Sequence, residues 1–184
     1  MTVNQFSVRP AQSHIDWTGR KVTGAHNGTI AIKEGLLVFH DEQLAAGRFV
    51  IDTCSIVILD VTDPATNAQF AGHLASDDFF SSEQYPEAYF EIRTAEPRTP
   101  GFYYVDGSLT IKGITHPVGF EAQVVRSGDR VTATGNITVD RTKYDMKFRS
   151  GNFFQNLGDT LIYNHFDLAV SLTAEAVTVP AVHA

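Results

Sequence analysis

GSLTIKGITHPVGFEAQVVRSGDRVTATGNITV, from Gly107 to Val139, alternates apolar and polar residues through three successive runs. The first begins upstream: Tyr103, Val105, Gly107, Leu109 and Ile111 share one parity, while Tyr104, Asp106, Ser108, Thr110 and Lys112 hold the other. After a break at Gly113, Val118, Phe120, Ala122 and Val124 alternate with Gly119, Glu121 and Gln123. Val131, Ala133, Gly135, Ile137 and Val139 then alternate with Thr132, Thr134, Asn136 and Thr138. Successive strand side chains point to opposite faces, so each run predicts a strand with one dry face and one wet face. Such strands need a shared apolar interior, and closing the sheet on itself supplies one while removing exposed edges.

The same reading extends outward in both directions. Ile15 and Trp17 alternate with His14, Asp16 and Thr18, predicting a first strand that Gly19 ends. Asn27-Gly28 reads as a turn, and Glu34-Gly35 as a reversal between Thr29–Lys33 and Leu36–His40. Phe49 and Ile51 alternate with polar neighbours before the apolar run Ser55–Leu59. Pro64 to Leu74 predicts one short helix across an end of the sheet: Thr62 or Asp63 caps it, Pro64 suits its first turn, and Phe70 and Leu74 fall four apart. Strand character returns at Ala88–Arg93, and the last strand carries Phe166, Leu168, Val170, Leu172 and Ala174 on its inner parity. The expectation is one antiparallel all-β domain over residues 1–176, with roughly eight strands and one helical excursion. Residues 177–184 form an unpatterned tail.

Bulk composition narrows the partners. At 184 residues with 43% apolar and 19% charged content, the chain suits one domain with a sizeable core. Twenty-one acidic against fourteen basic residues, a net charge of −7, argue against a nucleic-acid partner and against general attraction to anionic membranes. The start MTVNQFSVRPAQSH lacks a basic segment followed by an apolar run, and nothing approaches the ~20 apolar residues of a membrane-crossing helix. As written the chain reads as cytoplasmic; the mature form of a periplasmic protein would look the same. Cys54 is the sole cysteine, which removes disulfides and multi-cysteine zinc sites, and within VIDTCSIVIL it reads as a small hydrophobe. His14, His26, His40, His73, His116, His165 and His183 show no H-x-H, H-x-x-H or HExxH spacing, and no nucleophile-elbow, P-loop or GxGxxG string occurs. No metal, cofactor or catalytic residue is expected.

Four segments carry a family resemblance: GRKVTGAHNGTI (Gly19–Ile30), HLASDDFFSSEQYPEAYFEI (His73–Ile92), GSLTIKGITHPVGF (Gly107–Phe120) and VDRTKYDMKFRSGNFFQNLGDTLIYNHFDLAVSL (Val139–Leu172). In order, and over Ser13 to Ala174, the chain resembles the YceI-like lipid-binding family. The resemblance implies an extended, lipocalin-like antiparallel barrel whose interior holds an isoprenoid or other long-chain lipid, without catalytic residues. Three departures stand out. Many relatives have a secretion signal, which is not visible here. Many have Gly after the aromatic residue of the DR-x-x-aromatic motif, whereas Asp145 follows Tyr144. Gly is also the residue expected at the position of Arg149.

Taken alone, the inward stripes are an ordinary packed core. Small residues at Gly107, Ala122, Ala133, Gly135 and Ala174 nevertheless leave space in them, and with the resemblance they predict a lipid-filled cavity. Its expected lining is Trp17, Ile30, Phe49, Ile51, Phe90, Leu109, Ile111, Phe120, Ala122, Ala133, Ile137, Phe166 and Leu168. Phe79-Phe80 and Phe153-Phe154, in Gly/Ser/Asp/Asn-rich loops, are the candidate gate at its mouth; the competing reading makes them ordinary end plugs. Arg141 and Tyr144 are candidate head-group contacts for a prenyl phosphate, a quinone or a fatty acyl ligand. The competing reading makes Arg141 and Lys143 surface residues paired to Asp140 or Asp145. The charge of −7 gives little reason to expect a charge-dominated site. Two other classes stay open: a metal-dependent or small-molecule enzyme at the barrel mouth, and a fully packed β-sandwich acting through its surface. Pairing of two subunits and transient membrane contact through the mouth loops are also open.

Overall fold

The computed structural model describes residues 2–151, 157–158 and 161–177. Among these residues are nine strands: β1 (Val3–Val8), β2 (His14–Lys21), β3 (Gly24–His40), β4 (Gln43–Ile58), β5 (Glu87–Pro97), β6 (Phe102–Ile111), β7 (Ile114–Ser127), β8 (Arg130–Asp140) and β9 (Ile162–Ala176). One helix, α1 (Pro64–Ala75), joins β4 to β5. Antiparallel pairing runs β2-β9-β8-β7-β6-β5-β4-β3 and returns from β3 to β2, closing an eight-stranded barrel. The extra strand β1 pairs with the far half of β3, Val3 opposite His40 through Ser7 opposite Leu36, and with the end of β9. β2 pairs with the near half of β3, so β1 and β2 share one position in the barrel wall end to end.

The long strands β3 and β4 differ from the shorter segments expected. Gly19 does not end β2, which continues to Lys21 opposite Gly24. Asn27-Gly28 lies inside β3, with Gly28 opposite Trp17. A β-carbon on Gly28 would fall 1.8 Å from the Val57 carbonyl oxygen and 2.7 Å from the Trp17 ring. Glu34-Gly35 does not reverse the chain either: the register slips between Ile32 and Glu34, and a β-carbon on Gly35 would meet Val8 at 2.7 Å and Phe49 at 2.8 Å. Both glycines are there for close approach of neighbouring groups, which short-range sequence cannot distinguish from a turn. β1 escaped the sequence reading because only Phe6 and Val8 mark its inner face.

Elsewhere periodicity and structure agree. Along β6 every second residue is buried, from Tyr103 to Ile111. The α1 helix starts where Asp63 accepts a hydrogen bond from the Thr66 amide at 2.9 Å, with Pro64 in its first turn. Cys54 is exposed, contrary to its expected core role. It takes the outer parity of β4 with Asp52 beside inward Ile51 and Thr53, and its thiol lies 3.6 Å from the Ser82 carbonyl. The end of the barrel that β1 completes is sealed by Phe6 and Phe39, edge to face at 5.3 Å. The Arg126 guanidinium covers both rings at 5.0 and 5.4 Å and donates to the Asp41 carbonyl.

Candidate functional site

The interior above that sealed end is not filled. It holds a cavity of about 800 Å³, within the range of small-molecule sites. Trp17 and Ile30 line it from β2 and β3, Phe49 and Ile51 from β4, Phe90 from β5, and Leu109 and Ile111 from β6. Phe120 and Ala122 line it from β7, Ala133 and Ile137 from β8, and Phe166 and Leu168 from β9. All thirteen positions expected from the alternation therefore converge on one space, as do Ile15 and Val170. The Trp17 indole N–H is satisfied by the Thr29 carbonyl at 3.2 Å, leaving its apolar ring for the wall. The small residues divide in role. A β-carbon on Gly107 would meet the Phe90 ring at 2.4 Å, and one on Gly135 the Phe120 ring at 3.2 Å, so these two seat aromatic rings. Ala122 and Ala133 border the cavity itself, whereas Ala174 is buried away from it.

The opposite end carries α1, the segment after it and the turn after β8. Thr66, Gln69, Phe70, His73 and Leu74 of α1 line the cavity, yet no residue of the helix is fully buried. Such a cover rests on the barrel by one face. Phe79 and Phe80 both line the cavity, Phe79 buried and Phe80 partly so. His73 stands edge-on to Phe79 at 5.0 Å and to Phe148 at 4.6 Å, with its Nε2 2.9 Å from Asp78 Oδ2. Phe148, in a stretch without strand periodicity, thus joins the aromatic closure. The other candidate gate pair, Phe153-Phe154, lies outside the described residues. Lys112 is a second residue that alternation could not single out. At the β6–β7 turn its ammonium donates to the Asp77 carbonyl at 2.7 Å and the Asp145 carbonyl at 3.0 Å, tying both mouth loops together.

Arg141 is not a surface residue paired to Asp140 or Asp145. Only 3% of it is exposed, and its guanidinium donates to the carbonyls of Tyr163 (3.0 Å), Met146 (2.5 Å) and Ile162 (3.1 Å). It lines the cavity and lies 5.8 Å from the Phe79 ring centre. Burial lowers its pKa to about 10 against the opposing pull of Asp140, and it stays a cation at neutral pH. Lys143 remains exposed. Tyr144 sits behind the wall rather than in it: the turn after β8 packs its ring edge-on to His116 at 5.3 Å. Its hydroxyl has no hydrogen-bond partner among the described residues, and burial, with Asp140 adding to it, pushes its pKa up to about 12. Asp145 (φ 60°) and Arg149 (φ 50°), the two positions at which the resemblance led to an expectation of glycine, both adopt the left-handed backbone that glycine suits. Among the described residues, no three His, Cys, Asp or Glu side chains gather as metal ligands.

Residues 6–174 match the YceI-like domain family, nearly the whole barrel. The chain belongs to the YceI-like family. It is similar to the UPF0312 protein plu2095 of Photorhabdus laumondii, 37% identical over 101 residues that make up 55% of this chain and 50% of that protein. It is also similar to protein YceI of Escherichia coli, 29% identical over 102 residues, or 55% and 50% of the two chains. The matched stretch thus spans about half the length of these curated relatives. Among solved structures, BcnA of Burkholderia cenocepacia aligns with a TM-score of 0.70 at 20% identity, covering 90% of this chain and 98% of that one. A polyisoprenoid-binding domain from Saccharophagus degradans aligns at 0.66 and 14% identity, covering 94% and 98%. At these identities the likeness establishes the YceI-like fold. No helix among the described residues is long and apolar enough to cross a membrane.

Proposed function

We propose that this YceI-like barrel is a non-catalytic binding protein that holds a long-chain lipid of polyisoprenoid type, or a fatty acyl chain, in its cavity. The observation that carries this reading is the shape and chemistry of the space. About 800 Å³ is walled along the barrel by aliphatic and aromatic side chains, with charged groups confined to one end. Each buried methylene contributes roughly 0.8 kcal/mol, so a chain of isoprene units supplies ample gross driving force without polar contacts along its length. Ordering the ligand offsets part of that gain. The fold shared with a domain described as polyisoprenoid-binding supports the same reading. Exposed Val22, Leu59 and Tyr163 near the charged end give the mouth apolar contacts for brief loading from a bilayer.

The test is native mass spectrometry of the purified protein, with organic extraction and uptake of a fluorescent prenyl probe. A co-purifying long-chain lipid, or saturable uptake of the probe, supports the proposal. A protein that carries no lipid and takes up no probe overturns it. Stoichiometric metal in place of lipid would favour an enzyme at the barrel mouth.

A further inference from the structure

In a chain where acidic residues outnumber basic ones 21 to 14, every charged side chain that lines the cavity among the described residues is basic: Arg20, Lys21, Arg141 and Arg149, with three histidines beside them. No carboxylate among the described residues lines it. Three of the four converge on one residue. Lys21 sits opposite Ile162 in the β2–β9 ladder, the Ile162 amide donates to the Arg149 carbonyl at 2.9 Å, and Arg141 donates to the Ile162 carbonyl at 3.1 Å. Arg20 is neutralised by an ion pair with Asp167. Lys21 and Arg149 form no ion pair among the described residues, and the Arg149 guanidinium rests 5.0 Å over the Phe148 ring. A guanidinium has five N–H donors; Arg141 uses three of them on carbonyls. Among the described residues, two are left without an acceptor on a buried cation in the cavity wall.

Unpaired cations beside an apolar, low-dielectric space favour an anion, since charge-assisted hydrogen bonds there are stronger than in water. We propose that the mouth is an anion subsite, with Lys21 and Arg149 on the rim and Arg141 in the wall, selecting lipids whose long tail ends in a phosphate or diphosphate. This inference rests on the lipid reading and names the head group for it. It reverses the expectation drawn from net charge: the acidic excess lies elsewhere, and the basic minority gathers where the cavity reaches solvent.

Trp17, the only tryptophan, lines the cavity and reports occupancy by fluorescence. The test titrates lipid-stripped protein with geranylgeranyl phosphate and with geranylgeraniol, which share one tail. The phosphate is expected to bind about tenfold tighter at low ionic strength. That advantage should shrink towards about 1 M salt, where the Debye length falls to ~3 Å. Arg149→Gly, which suits the left-handed backbone at that position, combined with Lys21→Gln should cut the preference to under about threefold. Lys143→Gln, exposed and off the lining, should leave it intact. Should the double variant misfold by circular dichroism, Lys21→Gln alone and the salt series on the parent protein decide. Equal affinity for the two probes overturns the anion subsite and leaves the lipid reading standing. Binding of neither overturns the lipid reading itself. Inorganic phosphate that displaces the prenyl phosphate at comparable concentration would make this a free-anion site and overturn the head-group assignment.

Discussion

A β-carbon on Gly107 would sit 2.4 Å from the Phe90 ring and 2.6 Å from the Glu91 carbonyl oxygen, so the Phe90 ring occupies the space this glycine leaves. Gly72, on exposed α1, has nothing within 4 Å of the same position. Adding one methyl group should therefore act in opposite directions. Gly107→Ala is expected to cost about 1–3 kcal/mol by overpacking, and Gly72→Ala to gain roughly 0.5–1 kcal/mol from helix propensity. Urea midpoints at an unchanged m-value measure both; shifts of the same sign would refute the ring-seat account. Tyr144 offers a different residue-scale test. A buried hydroxyl without a partner contributes desolvation cost and no bond. Tyr144→Phe should thus leave stability unchanged or raised, whereas a loss of ~1 kcal/mol would reveal a hydrogen bond to that oxygen.

At the scale of elements, α1 and the loops beside it decide how the cavity closes. His26 of β3 stands edge-on to Phe70 of α1 at 4.8 Å, with its Nδ1 2.8 Å from Asp60. Burial alone would raise the Asp60 pKa, but hydrogen bonds from the Asn27 amide and from His26 outweigh it and hold the carboxyl below its ordinary value. A carboxyl depressed in the folded state stabilises it above the ordinary carboxylate range, and that contribution is lost as pH falls through the folded pKa. The seat of α1 should hold above the ordinary carboxylate range and loosen as pH falls below about 4. Amide exchange of α1, corrected for intrinsic rates, should show this, and Asp60→Asn should shrink the pH step, what remains coming from the Asp63 cap, whose carboxyl the Thr66 hydroxyl and amide also hold below its ordinary value. The aromatic closure makes a kinetic prediction. Phe79→Ala and Phe148→Ala should each speed release of a prenyl probe severalfold, chiefly through k_off. Unchanged release rates would show that these rings do not gate.

For the whole molecule the question is whether the barrel's interior is space or core. Ala133 borders the cavity from β8 and is partly exposed within it. Ala133→Phe should displace bound lipid while leaving the unfolding midpoint nearly unchanged. In a packed interior the same insertion would cost about 1–3 kcal/mol. Lipid retention and the midpoint measured together separate the two; full retention with a large loss of stability would mean that the space does not exist. This prediction was legible from alternation, since Ala133 interrupts an inward stripe. The convergence of Lys21, Arg141 and Arg149 was not, since they lie 120 and eight residues apart along the chain.

The sequence by itself determined which face of each regular strand turns inward and where α1 begins. Those features follow from side-chain period and a local cap, which act between residues a few positions apart. Only the tertiary structure decided that Gly28 and Gly35 accommodate neighbours rather than turns, and that β1 completes the sealed end. It also decided that Arg141 is buried on three carbonyls, and that the charged lining gathers beside α1. Each of these depends on groups that barrel closure brings together from distant parts of the chain. A pattern of near neighbours carries no record of such meetings, because the contacts that define them exist only once the ladder between β2 and β9 has formed.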